Sequence, residues 1–259
     1  NIWLRGFFSA HIFSLADYYL APSPALMKAY RKSALRPERL LYLPNGVDTE
    51  RFRPADAKEK RLLRSRLGLP TDELLIMFTG HFSSDKRPHL LAEAWSMLET
   101  TGVSLILVGS TSETGFEVSR DIVARVRETA QGKNLPGRLI TIERTGTIED
   151  YYRAADIFVL PSVREGMPNA LLEAMASGLA CIATRLEGIT DILLQDKSHG
   201  VLFEADDREA LVTALNELVC DHNLRWEQGS NARQTVCALY DLRTTARRYR
   251  ELLFNACRA

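Results

Sequence analysis

The sequence predicts an α/β protein: a Rossmann-like, doubly wound parallel sheet with helices gathered at its C-terminal end. Three observations carry that expectation. Short apolar runs alternate with helical patterns from residue 74 onward. The runs are continuously apolar rather than alternating, as in strands buried on both faces. After residue 205 the pattern is helical only. Strand–helix alternation of this kind marks βαβ units with right-handed crossovers.

Taken in order, "LLIMFTG" (74–80) is the first buried strand, ending at a glycine. "RPHLLAEAWSMLET" follows, with Leu90, Leu91, Ala94, Trp95 and Leu98 on one helical face. Strand "SLILVGS" (104–110), a helix over 117–131 and strand "RLITIE" (138–143) continue the alternation. A short helix at 148–155 leads to strand "DIFVLPS" (156–162) and a helix at 168–177. Strand "ACIAT" (180–184), a short helix near 189–194 and strand "GVLFE" (200–204) complete the sheet. Ala210, Leu211, Ala214, Leu215, Leu218 and Val219 share one helical face, and helices over 222–237 and 243–256 follow. The first 45 residues differ: a helix, a strand at 18–23, a helix at 24–33 and a strand at 40–46. "NGVDTERFRP" (45–54) reads as a turn and linker, with Asn45-Gly46 supplying the turn. The expected division is therefore 1–44, a linker at 45–54, and a main domain at 55–259.

Composition narrows the function. Lys plus Arg and Asp plus Glu both number 33, so no excess of basic charge points to nucleic acid. Cys181, Cys220, Cys237 and Cys257 show no C-x-x-C spacing and fit reduced cysteines in a cytoplasmic protein. No apolar run approaches the ~18 residues of a membrane span. The chain opens "NIWLRGFFSAHIFSL" without Met and without a signal-peptide pattern, so it is expected to begin within a larger protein. No G-x-G-x-x-G follows a predicted strand, which argues against a nicotinamide dehydrogenase.

The most informative segment is "EGMPNALLEAMASG", in which Glu165 and Glu173 stand eight residues apart. Glu165 lies in the loop after the 156–162 strand. Gly166 permits close backbone approach to a ligand, and Pro168 suits a first helical turn, where no N–H is needed. Glu173 then sits roughly 7–8 Å further along the helix axis. The helix N-terminus thus falls at the carboxyl end of a parallel strand, where open α/β sheets bind ligands, and its free N–H groups suit phosphate. Carboxylates to either side can accept hydrogen bonds from hydroxyls, a layout matched by a nucleotide-diphosphate sugar. Two solvated surface glutamates are the plain alternative.

"ADIFVLPSVREGMPNALLEAMASGLACIATRLEGITDIL" resembles the core pattern of the retaining glycosyltransferases of family four, which have the GT-B fold. "LPNGVDTERFRP" resembles their interdomain linker and "LILVGS" their second strand. The resemblance spans nearly the whole chain. It implies transfer of a sugar from a UDP-, GDP- or ADP-linked donor to an acceptor with retention at the anomeric carbon. It places Glu173 on the ribose hydroxyls and Glu165 beside the donor sugar. The backbone of Gly166, Met167, Pro168 and Asn169 would line the sugar and phosphate site. The family carries Arg and Lys five residues apart after the first strand; here Lys86 matches the Lys and His81 stands at the Arg position. An unperturbed histidine is mostly neutral at pH 7, so Arg87 or Arg164 is the candidate for the missing permanent charge. Gly109, Thr147 and Ile148 are weaker candidates, the last two for the nucleobase; Thr147 is equally placed to cap a helix. No D-x-D occurs, and neither a metal nor another cofactor is expected. The resemblance also implies that residues 1–44 are the remnant of an N-terminal acceptor domain, with the rest of that domain as the missing partner. The expected location is cytoplasmic, with peripheral contact at the inner membrane open to the full-length protein. A GT-B epimerase or phosphorylase and a non-catalytic nucleotide-binding module are the alternatives.

Overall fold

A computed structural model describes residues 16–33, 35–111 and 118–256. The expected first helix lies outside the described residues. The main body holds six strands: β3 (Leu74–Thr79), β4 (Val103–Val108), β5 (Leu139–Ile142), β6 (Ile157–Leu160), β7 (Ala180–Thr184) and β8 (Val201–Phe203). They form one parallel sheet in the order β5-β4-β3-β6-β7-β8. Strand order reverses between β3 and β6. The crevice at their carboxyl ends is the position at which such sheets bind ligands.

Side-chain alternation divides the interior into two layers. Leu75, Met77, Ile106, Val108, Phe158 and Leu160 face one side. Ile76, Phe78, Leu105, Leu107, Ile157 and Val159 face the other, as a period of two requires. The first layer is covered by α2 (Ala57–Arg66), α5 (Ile148–Ala154), α6 (Asn169–Ala176) and α8 (His222–Leu239), counting α1 as Pro24–Arg31. The second is covered by α3 (Pro88–Ser96), α4 (Arg120–Ala130) and α7 (Arg208–Cys220). Leu171, Leu172 and Met175 of α6 are fully buried. Each is worth about 2 kcal/mol of apolar burial, which fixes the helix beneath the crevice.

Two elements differ from expectation. Helix α2 was not anticipated, because in "AKEKRLLRSR" only Leu62 and Leu63 are large and apolar and only Leu63 and Arg64 are buried. Its start was nonetheless encoded: Asp56 accepts from Glu59 N at 2.8 Å, with the acid three residues on that marks a capping pair. The expected helix near 189–194 is a run of turns instead. Thr190 Oγ1 donates to Thr184 O at 2.6 Å and accepts from Leu186 N at 2.8 Å, taking over local backbone bonding.

The amino end of the sheet is closed by a charged knot. Asp156, just before β6, accepts from Lys60 Nζ at 2.8 Å, from Arg64 at 2.7 Å and from Leu75 N at 2.8 Å. Arg64 also donates to Ala154 O at 2.9 Å and Glu73 O at 2.8 Å.

The N-terminal part pairs β1 (Tyr19–Ala21) in parallel with β2 (Leu40–Tyr42), with α1 between them. Tyr19, Ala21 and Leu40 form its own small core. It meets the main body where Ala25 N bonds Gly188 O at 3.4 Å and Lys28 pairs with Glu187 at 3.0 Å. The linker turn sits later than predicted: Asp48 accepts from Glu50 N and Arg51 N, and Phe52 N returns to Asp48 O. Asn45-Gly46 is not the turn. Gly46 is required there by packing, since a Cβ would lie 2.9 Å from Leu242 Cα of α9 (Leu242–Ala256). Val47 then bridges Asp241, with Val47 N on Tyr240 O and Leu242 N on Val47 O, each at 2.9 Å. Among the described residues no helix is long and apolar enough to cross a membrane.

Candidate active site

Two loops converge at the crevice. The first follows β3. Ser83 closes a tight turn there, accepting from Lys86 N at 3.2 Å and Arg87 N at 3.0 Å through its carbonyl. That turn brings Lys86 over the crevice. The second loop follows β6 and carries Glu165. Lys86 Nζ donates to Glu165 Oε1 at 2.7 Å, and the Glu165 side chain is only 9% exposed. The loops are joined twice more: Val163 N donates to Asp85 O at 2.8 Å, and Arg164 pairs with the Asp85 carboxylate.

Helix α6 begins at Asn169, four residues after Glu165. Pro168 occupies its N-cap position with no side-chain cap, and its first turn holds no acidic residue. An uncapped N-terminus of this kind presents N–H groups and partial positive charge to an anion. Met167 and Pro168 are buried, Met167 in the core, so they anchor the loop. Asn169 Oδ1 accepts from Asn45 Nδ2 at 2.7 Å, which ties the helix start to the linker.

Beside this point a cleft of about 520 Å³ opens at the carboxyl ends of β3, β4 and β5. His81, Gly109, Arg144 and Ile148 are among its walls. Gly109 lets the ends of β3 and β4 approach closely: a Cβ there would stand 1.8 Å from Gly80 O. Gly109→Ala is therefore expected to destabilise the fold by about 3 kcal/mol, read from denaturant unfolding.

Glu173 faces a crevice of about 110 Å³ between α6 and the linker, lined by Gly46, Asp48, Phe52 and Asn169. Burial raises its carboxyl above the usual range, against the hydrogen-bonding Tyr152 hydroxyl and the Arg51 charge, which lower it; Glu149 raises it further. Arg51 is itself bound to Glu149 at 2.8 Å.

A model of the family described as "Glycosyl transferases group 1" matches residues 59–235. The chain belongs to that family. A group 1 relative from Escherichia coli, UDP-Gal:alpha-D-GlcNAc-diphosphoundecaprenol alpha-1,3-galactosyltransferase, is 31% identical over 193 residues, 71% of this chain and 46% of the relative. Sucrose-phosphate synthase from Thermosynechococcus elongatus superposes with a TM-score of 0.84 at 25% identity, covering 98% of this chain and 61% of that one. Anabaena Alr3699/HepE, solved in complex with UDP-glucose, superposes with a TM-score of 0.85 at 20% identity, covering 97% and 68%. The fold of this group 1 chain is thus the GT-B glycosyltransferase fold that the sequence resemblance implied. The chain spans about half the length of the curated relatives it matches. The family assignment does not favour the epimerase, phosphorylase or binding-module alternatives.

Against the expected roles, the group 1 chain brings Lys86, Glu165 and the Gly166–Asn169 segment together at the sheet's reversal point, with His81, Gly109 and Ile148 in the adjoining cleft. Arg87 is placed elsewhere. It holds a left-handed conformation (φ 53°) and pairs with Asp206 on the turn before α7, so its charge is spent there. Arg164 is likewise engaged by Asp85. Thr147 stands at the N-cap of α5 without making a cap bond; Thr145 Oγ1 instead accepts from Thr147 N at 3.1 Å. Sequence reading missed Asp85, Tyr152 and Arg144. Of these only Arg144 had a signal, lying three residues before the candidate Thr147 in "RTGTIED" (144–150).

The raised carboxyl of Glu173 has a measurable consequence. A raised folded-state value means that its contribution to stability is present in acid and lost as pH rises through that value. Glu173→Gln is expected to melt higher than the native chain at pH 7, with the gap closing near pH 4.

Proposed function

We propose that the full-length protein transfers a sugar from a nucleotide-diphosphate donor to an acceptor with retention, and that this chain is its donor-binding part. The observation that carries this reading is the convergence of the Lys86–Glu165 pair and the uncapped start of α6 at the β3–β6 reversal. The diphosphate lies between the α6 N-terminus and Lys86, with the nucleobase in the cleft beside Gly109 and Ile148. Glu173 takes the ribose hydroxyls and Glu165 the sugar side. Lys86 and the helix terminus carry the leaving charge without a metal ion or other cofactor. A UDP-linked donor is favoured by the names of the galactosyltransferase relative and the UDP-glucose complex.

On this reading residues 1–44 belong to an acceptor domain whose remainder completes the cleft. The protein works at the cytoplasmic side, with peripheral contact at the inner membrane open to it. The test is thermal stabilisation by UDP, GDP and ADP with excess EDTA present. Binding to the native state at a hundred times Kd adds about 2.7 kcal/mol of stability. Stabilisation by UDP, lost in Lys86→Ala, supports the assignment; no stabilisation by any of the three removes it.

A further inference from the structure

A second cavity, of about 500 Å³, lies at the opposite end of the molecule from the donor crevice. It sits at the amino ends of β6 and β7, between the linker at Pro54-Ala55 and helix α8. His222, Trp226, Ser230, Arg233 and Cys237 line it, together with Arg225. These positions recur every three or four residues, so a whole face of α8 looks into the cavity. The face of α8 packed on the domain is Gln228, Gly229, Ala232 and Val236; the neighbouring, more open face that borders the cavity carries two guanidinium groups, a hydroxyl and an imidazole.

The charge is one-sided. Lys60, Arg153, Arg225 and Arg233 contribute to the walls, against the single carboxylate of Asp156. Asp156 is already engaged by Lys60, Arg64 and Leu75 N. Arg153 is neutralised by Glu59 and Asp150. Arg225 and Arg233 pair with no carboxylate among the described residues. Arg225 Nη1 donates to the carbonyls of Leu218 and Val219 at the end of α7. Arg233 donates to Ala176 O, Phe52 O and Thr49 O. These bonds hold both side chains in place and leave each guanidinium with further N–H groups, since the fork has five. Burial lowers the Arg225 pKa, only partly offset by the charges of Asp156 and Asp221. Trp226, 71% exposed, stands at the rim.

We propose that this cavity is a ligand site, separate from the donor crevice, for a small metabolite with two separated anionic groups, such as a bisphosphate. Arg225 and Arg233 are eight residues apart, about 12 Å along the helix axis, so each takes one anionic end. Guanidinium groups suit phosphate and carboxylate oxygens. Trp226 covers the uncharged middle with its ring face.

Fructose 1,6-bisphosphate is the probe and fructose 6-phosphate its one-anion counterpart. Binding is read by calorimetry and by Trp226 fluorescence, Trp226→Phe identifying the signal; Trp95 is fully buried. The expected result is affinity at least about tenfold tighter for the bisphosphate, as a second charged contact provides. Arg225→Gln and Arg233→Gln reduce that preference, and Lys86→Ala leaves it unchanged. Because both arginines also hold helix ends, Gln234→Glu is the companion variant: it adds a repelling charge to the cavity wall and is expected to weaken bisphosphate binding by about tenfold. Absence of binding at millimolar probe, equal affinity for the two sugar phosphates, insensitivity to Gln234→Glu, or loss of binding in Lys86→Ala would each overturn the proposal.

Discussion

On the proposed function, Lys86→Ala in the full-length protein is expected to lower kcat/KM for sugar transfer by about 10²–10³-fold, the usual worth of one preorganised group facing developing charge. When the bond to the donor sugar breaks, negative charge grows on the departing diphosphate. In the crevice that charge has two fixed counterparts, the Lys86 ammonium and the start of α6. The same substitution strips Glu165 of its partner at 2.7 Å, leaving a carboxylate that is almost enclosed. Some loss of stability therefore accompanies the loss of rate. Lys86→Arg separates the two effects. It keeps the positive charge and so preserves stability, yet its planar fork cannot reproduce a point charge on a short turn, and transfer stays well below the native rate. Steady-state kinetics with UDP-sugars and a denaturant titration on each variant give both readings. Native-like transfer by Lys86→Ala would break the link between this pair and the chemistry.

Asp156→Asn costs about 3 kcal/mol of folding stability at pH 7, a drop in Tm of roughly 10 °C for a chain of this size. The reason is not the pair itself but what remains without it. Arg64 is 6% exposed and would keep a full charge with one ionic partner gone. Leu75 N would lose a charged acceptor at the central strand. Burial pushes the Asp156 carboxyl up, but Lys60, Arg64 and the Leu75 N–H outweigh it and hold it below the ordinary aspartate value. A depressed value means the stabilisation is complete above the unfolded-state value and lost as pH falls through the folded one. The deficit of Asp156→Asn should therefore be constant from pH 8 to 5 and shrink below about pH 4. Urea melts across that range decide it, and a deficit that grows in acid would contradict the assignment.

Much of the sheet was legible because buried parallel strands have a loud signature. "LLIMFTG" and "SLILVGS" admit no other reading once helices of ordinary length separate them. The reversal of strand order was not legible, since it depends on which strands pair. Helix α2 was quiet for the opposite reason: it is held by Arg64 reaching carbonyls and Asp156 rather than by an apolar stripe. At the site, the E-x7-E block gave the helix start and its glutamates. It could not tell that Arg87 bends away to Asp206, because a non-glycine residue in a left-handed conformation leaves no mark on local sequence. Nor could it show that Asp85 fastens the two loops, since that bond joins a main-chain carbonyl to a residue far along the chain.

The pairing of Val47 with Asp241 ties two stretches nearly two hundred positions apart. Gly46 and Asp48, on either side of that bridge, are walls of the niche occupied by Glu173. The stretch around Asp241 thus acts as a splint for the wall that faces the Glu173 carboxylate. Trimming the protein upstream of Tyr240 would unmoor that wall, so the shortest competent version of this half must run past the splint.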